Sequence, residues 1–498
     1  MQSNLPSLTT RCKCFAIPHR YVTAFLLGTG CIIYFLMLVS FLKAFRHLNP
    51  KTPVYNSTYS MNCTFDRNVS RVEHVNEHFY QPPFARVAAL ANAHVWGYIA
   101  AAPFCGLFSD RLGGKYFVWI PIFVISVVEV ITPPMLSGSA SDFYIVFTWY
   151  FLIGVGAGMA SAGMNSILAR WTPIEERGRM GCMTYCGTQF AVTFHSEITD
   201  NVIVATGLWN MPFYIYSALG LIWSVSFLFL GSSHYHIRKH GMHQSELQYL
   251  QDKLQHIKDF NRQRVPWLKI ATSAPLWALI VINMGHIWIW TAMITNLPFY
   301  LRYVLFFSNE KTMGYACLAY MSLSCCTLMC GFFSDFLTSR KYIQTRTLRK
   351  VYTTFGAMGP AVFLLTAAYT GCHRTEAVFM FVIGMSFMGF YFGGTKINTL
   401  EIAPNFSGTV IGLVNMFESV PLLVLPIVER IISPTNVLHE KKLLFWIHLA
   451  VLAVTNMFFT LFGSVDVQPW DSEEVEEEQE MEHFYTYPTA TLAPRPSD

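Results

Sequence analysis

Twelve apolar runs of about twenty residues, parted by short polar turns, constrain this chain more than any other feature, because a run of that length is what a bilayer core near 30 Å asks of a helix. Their limits are 21–42, 87–108, 116–136, 143–169, 180–202 and 211–231, then 276–300, 312–334, 351–370, 377–400, 408–432 and 443–464. With 53% hydrophobic and only 13% charged residues in 498, the chain is too apolar for a water-soluble globule of that size. The expected fold class is all-α and polytopic, with twelve transmembrane helices.

The net charge of +4 says little, but its placement is informative. Lysines and arginines gather before span 1, in the 2–3, 4–5 and 8–9 turns and in the 6–7 linker, which the positive-inside rule assigns to the cytosol together with both termini. The opposite face then receives the loop 43–86, whose sequons at Asn56, Asn62 and Asn68 mark it for glycosylation. A fourth sequon, at Asn405, falls in a cytosolic turn and should stay unmodified. Expected boundaries are a cytosolic N-terminus (1–20), a first lobe (21–230), a linker (231–275) with a short surface helix over 243–258, a second lobe (276–465) and an acidic, disordered tail (466–498). The bilayer is the implied partner, as a plasma membrane or an endolysosomal or secretory vesicle membrane. No metal-ligand spacing, cofactor motif, nucleophile–base pattern or nucleic-acid-binding signature stands out, so cofactor, metal and enzyme readings are all set aside, and the unit is expected to work as a monomer.

The turn between spans 2 and 3 reads Gly106-Leu-Phe-Ser-Asp110-Arg111-Leu-Gly-Gly114-Lys115. A weaker copy, Gly331-Phe-Phe-Ser-Asp335-Phe-Leu-Thr-Ser-Arg340-Lys341, follows about 225 residues later between spans 8 and 9. Glycines permit close helix approach, and Asp110 and Arg111 can exchange charge-assisted hydrogen bonds with cytosolic helix ends, so these turns have the chemistry of a latch, with Gly106, Asp110, Arg111, Gly114, Asp335, Arg340, Glu176 and Arg177 as the expected gating residues. Halves repeated in this way resemble the major facilitator superfamily, in which an axis along the membrane normal relates two six-helix lobes. The turns after spans 4 and 10 narrow the likeness. Trp171-x-Pro173-x-x-Glu176-Arg177-x-Arg179, Asn398-x-x-Glu401-Ile-Ala403-Pro404 and Trp96-Gly97-Tyr98 resemble the anion:cation symporter family, which includes sodium/phosphate cotransporters, sialin and vesicular glutamate transporters. The likeness covers roughly 20–465. It implies alternating-access transport of an organic or inorganic anion, coupled to protons or sodium; a transport-incompetent relative acting as a receptor or scaffold is the alternative. Span 4 also carries Gly154-Val-Gly156-Ala-Gly158, read as a tight helix contact rather than a phosphate-cradling loop because its surroundings are apolar and no strand precedes it.

Ionisable groups inside spans are costly and usually face a cavity. His286, two residues before Trp288, lies where the resemblance places an arginine for a substrate carboxylate; it is either an anion ligand or a neutral histidine bonded to a neighbouring helix. Lys396 and Glu418, in spans 10 and 11, carry opposite charges; they form a structural bridge, belong to a coupling switch, or never meet. Asn398 and Trp288 complete the expected substrate and ion site. His195, Glu197 and Asp200 in span 5 are either interfacial or a cation-binding vestibule. Among the aromatics, Tyr21, Tyr34, Trp290, Tyr300, Tyr391 and Phe392 either line a cavity or pack. Anion-transporting members of the family carry an arginine near the middle of span 1, where this chain has Leu36-Met-Leu-Val-Ser40, so an anion would have to find its counter-charge at His286 or Lys396.

Overall fold

Each expected span is helical. The computed structural model describes residues 18–48, 84–136, 142–237, 242–255, 265–371, 373–434 and 438–471; the sequons at Asn56, Asn62 and Asn68 lie outside them. The first lobe holds α1 (His19–Leu48), α2 (Phe84–Leu112), α3 (Gly114–Met135), α4 (Asp142–Trp171), α5 (Arg177–Thr206) and α6 (Met211–Leu230). The linker contributes α7 (Gln244–Lys253) and α8 (Trp267–Ala271). The second lobe holds α9 (Ala274–Phe299), α10 (Asn309–Ser339), α11 (Thr345–Ala367), α12 (Arg374–Tyr391), α13 (Ile397–Glu401), α14 (Ser407–Glu418), α15 (Val420–Ile432) and α16 (Leu438–Phe462). Among the described residues, nine spans are long and apolar enough to cross a membrane by length and composition alone. The other three are α2, α5 and α11, which carry polar stretches such as Asp110 and Arg111, Thr184 and Gln189, and Arg346 to Lys350.

The repeat seen in the turns is also a repeat of packing. In the first lobe α1 packs on α5 and α6, α2 on α4, and α3 on α4 and α6; in the second, α9 packs on α14, α15 and α16, α10 on α12, and α11 on α12 and α16. The lobes meet through α2 against α14 and through α10 against α5, two contacts that exchange under the repeat. Both are close because of glycine. A Cβ on Gly106 would lie 3.2 Å from the Cα of Gly412, and one on Gly331 would lie 2.7 Å from the carbonyl oxygen of Gly178. The span 4 glycines serve the same end within the first lobe, since a Cβ on Gly158 would sit 3.2 Å from the backbone nitrogen of Ala102 in α2.

Two spans are broken in mid-course, and both breaks matter for the site. Span 10 passes through one π-helical turn, Phe392–Lys396, between α12 and α13; an extra residue per turn rotates the side chains that follow, a device common at functional sites. Span 11 divides at Ser419, between α14 and α15, where Pro421 supplies no backbone donor for the next helical bond. At the end of the bundle that carries the repeated turns, α7 buries Leu250, and Leu254 just beyond it is buried as well. Residues 466–471, expected as the start of a solvated tail, instead fold back. Gln468 donates its backbone N–H to the Ile402 carbonyl at 2.9 Å, and Asp471 accepts from the backbone N–H groups of Asn405 (3.2 Å) and Phe406 (3.3 Å). Two backbone donors at the turn hold the Asp471 carboxyl in place.

Candidate functional site

Between the lobes lies a cavity of about 320 Å³, lined by both of them and within the usual range of small-molecule sites. The first lobe contributes Tyr34, His94, Tyr98, Tyr185 and Gln189; the second contributes His286, Trp290, Tyr391, Phe392, Lys396 and Glu418. The π-helical turn brings Lys396 to this wall, and the break at Ser419 leaves Glu418 as the last residue of α14. They meet with Lys396 Nζ 3.6 Å from Glu418 Oε1, both nearly buried. The ammonium also lies 5.9 Å above the ring of Tyr185. The imidazole of His286 stacks flat on Tyr391, ring centroids 3.4 Å apart and planes within 1°, and the Tyr391 hydroxyl is tied to Asn283. On the latch side of the cavity, Asn165 donates to Thr399 Oγ1 across the lobes at 3.2 Å and accepts from the Tyr185 hydroxyl. Asn415 donates to Ser161 Oγ at 2.8 Å, also across the lobes.

Of the expected site residues, His286, Lys396 and Glu418 converge here. Trp288 does not line the cavity; its indole N–H donates to His448 Nδ1 at 2.8 Å and ties α9 to α16, while Trp290, two residues on, faces the cavity. Asn398 is also elsewhere, donating to the Ser464 carbonyl at 2.9 Å. His195 bonds the carbonyl of Val192 at 3.0 Å, and Glu197 and Asp200 are exposed; all three sit at the end of α5 away from the latches and outside the cavity. Of the expected aromatics, Tyr21 and Tyr300 do not reach the wall.

The repeated turns form two latches between the lobes. Asp110 of α2 is 2% exposed and caps the start of α14, accepting from the N–H of Gly408 (2.9 Å), the N–H of Thr409 (2.6 Å) and the Thr409 hydroxyl (2.9 Å). Asp335 of α10 caps the start of α5 in the other lobe, accepting from the N–H groups of Gly178 and Arg179, each at 2.8 Å. Each motif aspartate thus closes the exposed helix end of the opposite lobe, where unpaired N–H groups and the helix dipole favour an anion. The arginines that follow the aspartates are not the cations of these latches. Arg111 and Arg340 are exposed. Arg170 Nη2 instead donates to the Asp110 carbonyl at 2.7 Å, and Arg349 binds Glu401 through both Nε and Nη2, the latter at 2.7 Å. Glu176 holds Arg20 at 2.7 Å and Arg179 at 2.6 Å. Arg177 is buried, with Nε and Nη2 lacking a hydrogen-bond partner. Gly114 packs within the first lobe, on Gly163 of α4.

Several site residues escaped the sequence reading. His94 with Tyr98, and Tyr185 with Gln189, are polar pairs four residues apart inside apolar spans, a spacing that sets both members on one helix face and was the available signal. Glu129 of α3 is fully buried and accepts from Ser40 Oγ at 2.5 Å. The stretch that lacks the family's arginine therefore ends against a carboxylate.

Known proteins carry this architecture. Sialin of Ovis aries is 29% identical over 383 residues, 76% of this chain and 76% of that protein. A putative inorganic phosphate cotransporter of Drosophila melanogaster is 26% identical over 94% of this chain and 88% of that protein, and vesicular glutamate transporter 2 of Bos taurus is 25% identical over 94% and 78%. Among solved structures, the proton:xylose symporter XylE bound to 6-bromo-6-deoxy-D-glucose superposes with a TM-score of 0.63 at 16% identity, covering 92% of this chain and 99% of its own. That likeness concerns the fold alone. The model of the Major Facilitator Superfamily matches residues 21–426; with two six-helix lobes latched around a shared cavity, the chain belongs to this superfamily of membrane transporters, and its curated relatives are those of the anion:cation symporter family.

Proposed function

We propose that the chain is a secondary active transporter that carries a small organic solute by its anionic group, rocking its lobes so that the cavity opens to one side of the membrane at a time, with a proton or sodium gradient as the driving force. The latch end, where the described residues His19 and Asp471 and the linker helix α7 lie, faces the cytosol in this reading. The observation that carries it is Lys396, an ammonium on the wall of an aromatic cavity between the lobes. An anion leaving water for such a cavity needs a compensating cation, and Lys396 supplies it in place of the missing span 1 arginine. The names of the relatives, which include transporters of glutamate and phosphate, support an anionic group as the handle.

The test is counterflow in proteoliposomes with phosphate, glutamate, aspartate, sialic acid, urate and nucleotides, with and without pH and sodium gradients. Exchange of an organic member of that panel is expected, and in Lys396→Gln it should fall by at least about tenfold, as expected when a buried charge loses its partner. Flat counterflow across the panel in folded protein would instead favour a transport-incompetent relative with a receptor or scaffold role.

A further inference from the structure

We propose that the solute taken by this cavity is a zwitterion, with its anionic group on Lys396, an ammonium group on Glu418 and an apolar body between the aromatic rings. The inference rests on the transport reading above and narrows its substrate class.

Charge count is the first argument. The wall carries one ammonium and one carboxylate, 3.6 Å apart. A simple anion binding Lys396 must displace Glu418 or share the lysine with it, which leaves one excess negative charge in a space walled by Tyr34, Tyr98, Tyr185, Tyr391 and Phe392. Such a charge is expensive away from water. A molecule carrying both signs inserts between the two side chains and leaves each of them paired.

The second argument is the condition of Glu418. It is 6% exposed, and its Oε2 is buried with no hydrogen-bond partner. A buried carboxylate oxygen without a donor is an acceptor awaiting one. The existing pair is also loose, since charge-assisted N–H···O bonds run at about 2.7–2.9 Å. The other titratable groups on the wall are Cys31, whose thiol donates to the Met164 sulfur, His94, His286 and the four tyrosines; His286 Nδ1 and His94 Nε2 are likewise unpartnered, and the ring faces of the tyrosines attract an ammonium. The region of the missing span 1 arginine adds no cation, because Ser40 there bonds the carboxylate of Glu129.

The third argument is mechanical. Lys396 ends the π-helical turn of span 10, and Glu418 precedes the break in span 11. A ligand spanning the two therefore bridges the points at which both helices can bend, whereas an anion on Lys396 alone touches one of them.

The experiment compares ligands that differ only in charge: phenylalanine with 3-phenylpropionate and phenethylamine, and leucine with 4-methylpentanoate and isopentylamine. Binding to the purified full-length protein is read as thermal stabilisation at pH 5.5 and 7.5. At least one zwitterion should half-saturate at a concentration about tenfold or more below both of its truncated analogues, because each analogue leaves one buried charge unpaired. Glu418→Gln should erase that advantage and favour the carboxylate, and Lys396→Gln should favour the amine; a merely structural pair would lose all ligands equally. A carboxylate that binds as tightly as its zwitterion at either pH overturns the proposal, as does the failure of both zwitterions to stabilise protein that still melts cooperatively. The ranking on the unmodified protein decides the matter even if a variant does not fold. Counterflow of the same ligands separates the two readings: a zwitterion bound but not exchanged defeats transport, whereas a carboxylate exchanged in preference to its zwitterion defeats only this inference.

Discussion

The two latches use one device, an aspartate closing a helix end in the opposite lobe, yet they are backed differently. Asp110 is dry. It accepts three neutral donors, and Asp471 holds Asn405 and Phe406 just before the capped helix. Asp335 has two backbone donors and, at 3.8 Å, the guanidinium of Arg179, whose side chain is 31% exposed. Arg179 belongs to a chain of charges running through Glu176 and Arg20 to Glu246 of the linker. One latch therefore rests on buried hydrogen bonds and the other on a part-solvated ionic network. Geometry that repeats need not have energetics that repeat, because burial decides how much a charge contact contributes.

The largest effect should come from behind the Asp335 latch. Arg349 and Glu401 are 2% and 4% exposed, and Arg349→Ala strands the carboxylate, a loss of roughly 3 to 5 kcal/mol for a buried pair. A drop in melting temperature larger than that of either latch variant is expected; no drop would show that this lobe does not lean on the pair. Next, Asp110→Ala leaves buried N–H groups unpaired at about 1 to 3 kcal/mol each, so opening at this end should rise on the order of a hundredfold. Cys182, buried against Gly331 at the lobe contact, reports such opening through its alkylation rate, read by peptide mass mapping. Asp335→Ala should raise the same rate by only about tenfold. Only the Asp335 latch should loosen between 0.1 and 1 M salt, since screening acts on exposed charges. Equal responses of the two latches to salt would break the comparison.

The smallest effect concerns the buttress of the Asp110 latch. Burial pushes the Asp471 carboxyl up to about 7, against the pull of its bonds to Asn405 and Phe406. A carboxyl whose folded value is raised stabilises its contact in the protonated form, so docking of residues 466–471 is favoured below the ordinary carboxyl value of 3.8 and weakens as pH rises from there to about 7. Hydrogen exchange at Gln468 and Trp470 should therefore accelerate between about pH 4 and pH 7, beyond its intrinsic pH dependence, and level off above that. Asp471→Asn should flatten that extra response.

Spans and latch motifs were legible because each is written locally. Twenty apolar residues need no partner to identify them, and Gly106-x-x-x-Asp110 repeats as Gly331-x-x-x-Asp335. The cavity was legible only in part. His286, Lys396 and Glu418 stood out because charge inside a span is rare, while Tyr185, Tyr98 and His94 belong to residue types that pack as often as they bind. Trp288 and Trp290 show the limit: two residues apart on one helix, they point to different neighbours, and only packing against α16 turns the first away. Arg111 and Arg340 misled for a related reason, since adjacency in the chain suggested partners that Arg170 and Arg349 supply from other helices.

By itself, the amino-acid sequence determined that this chain crosses a membrane as a repeated bundle with a latch in each half, because hydropathy and turn chemistry act over a few residues. Only the tertiary structure decided which charges meet. A π-helical turn and a helix break set the facing of Lys396 and Glu418, and a contact between residues distant along the chain depends on the register of every helix between them.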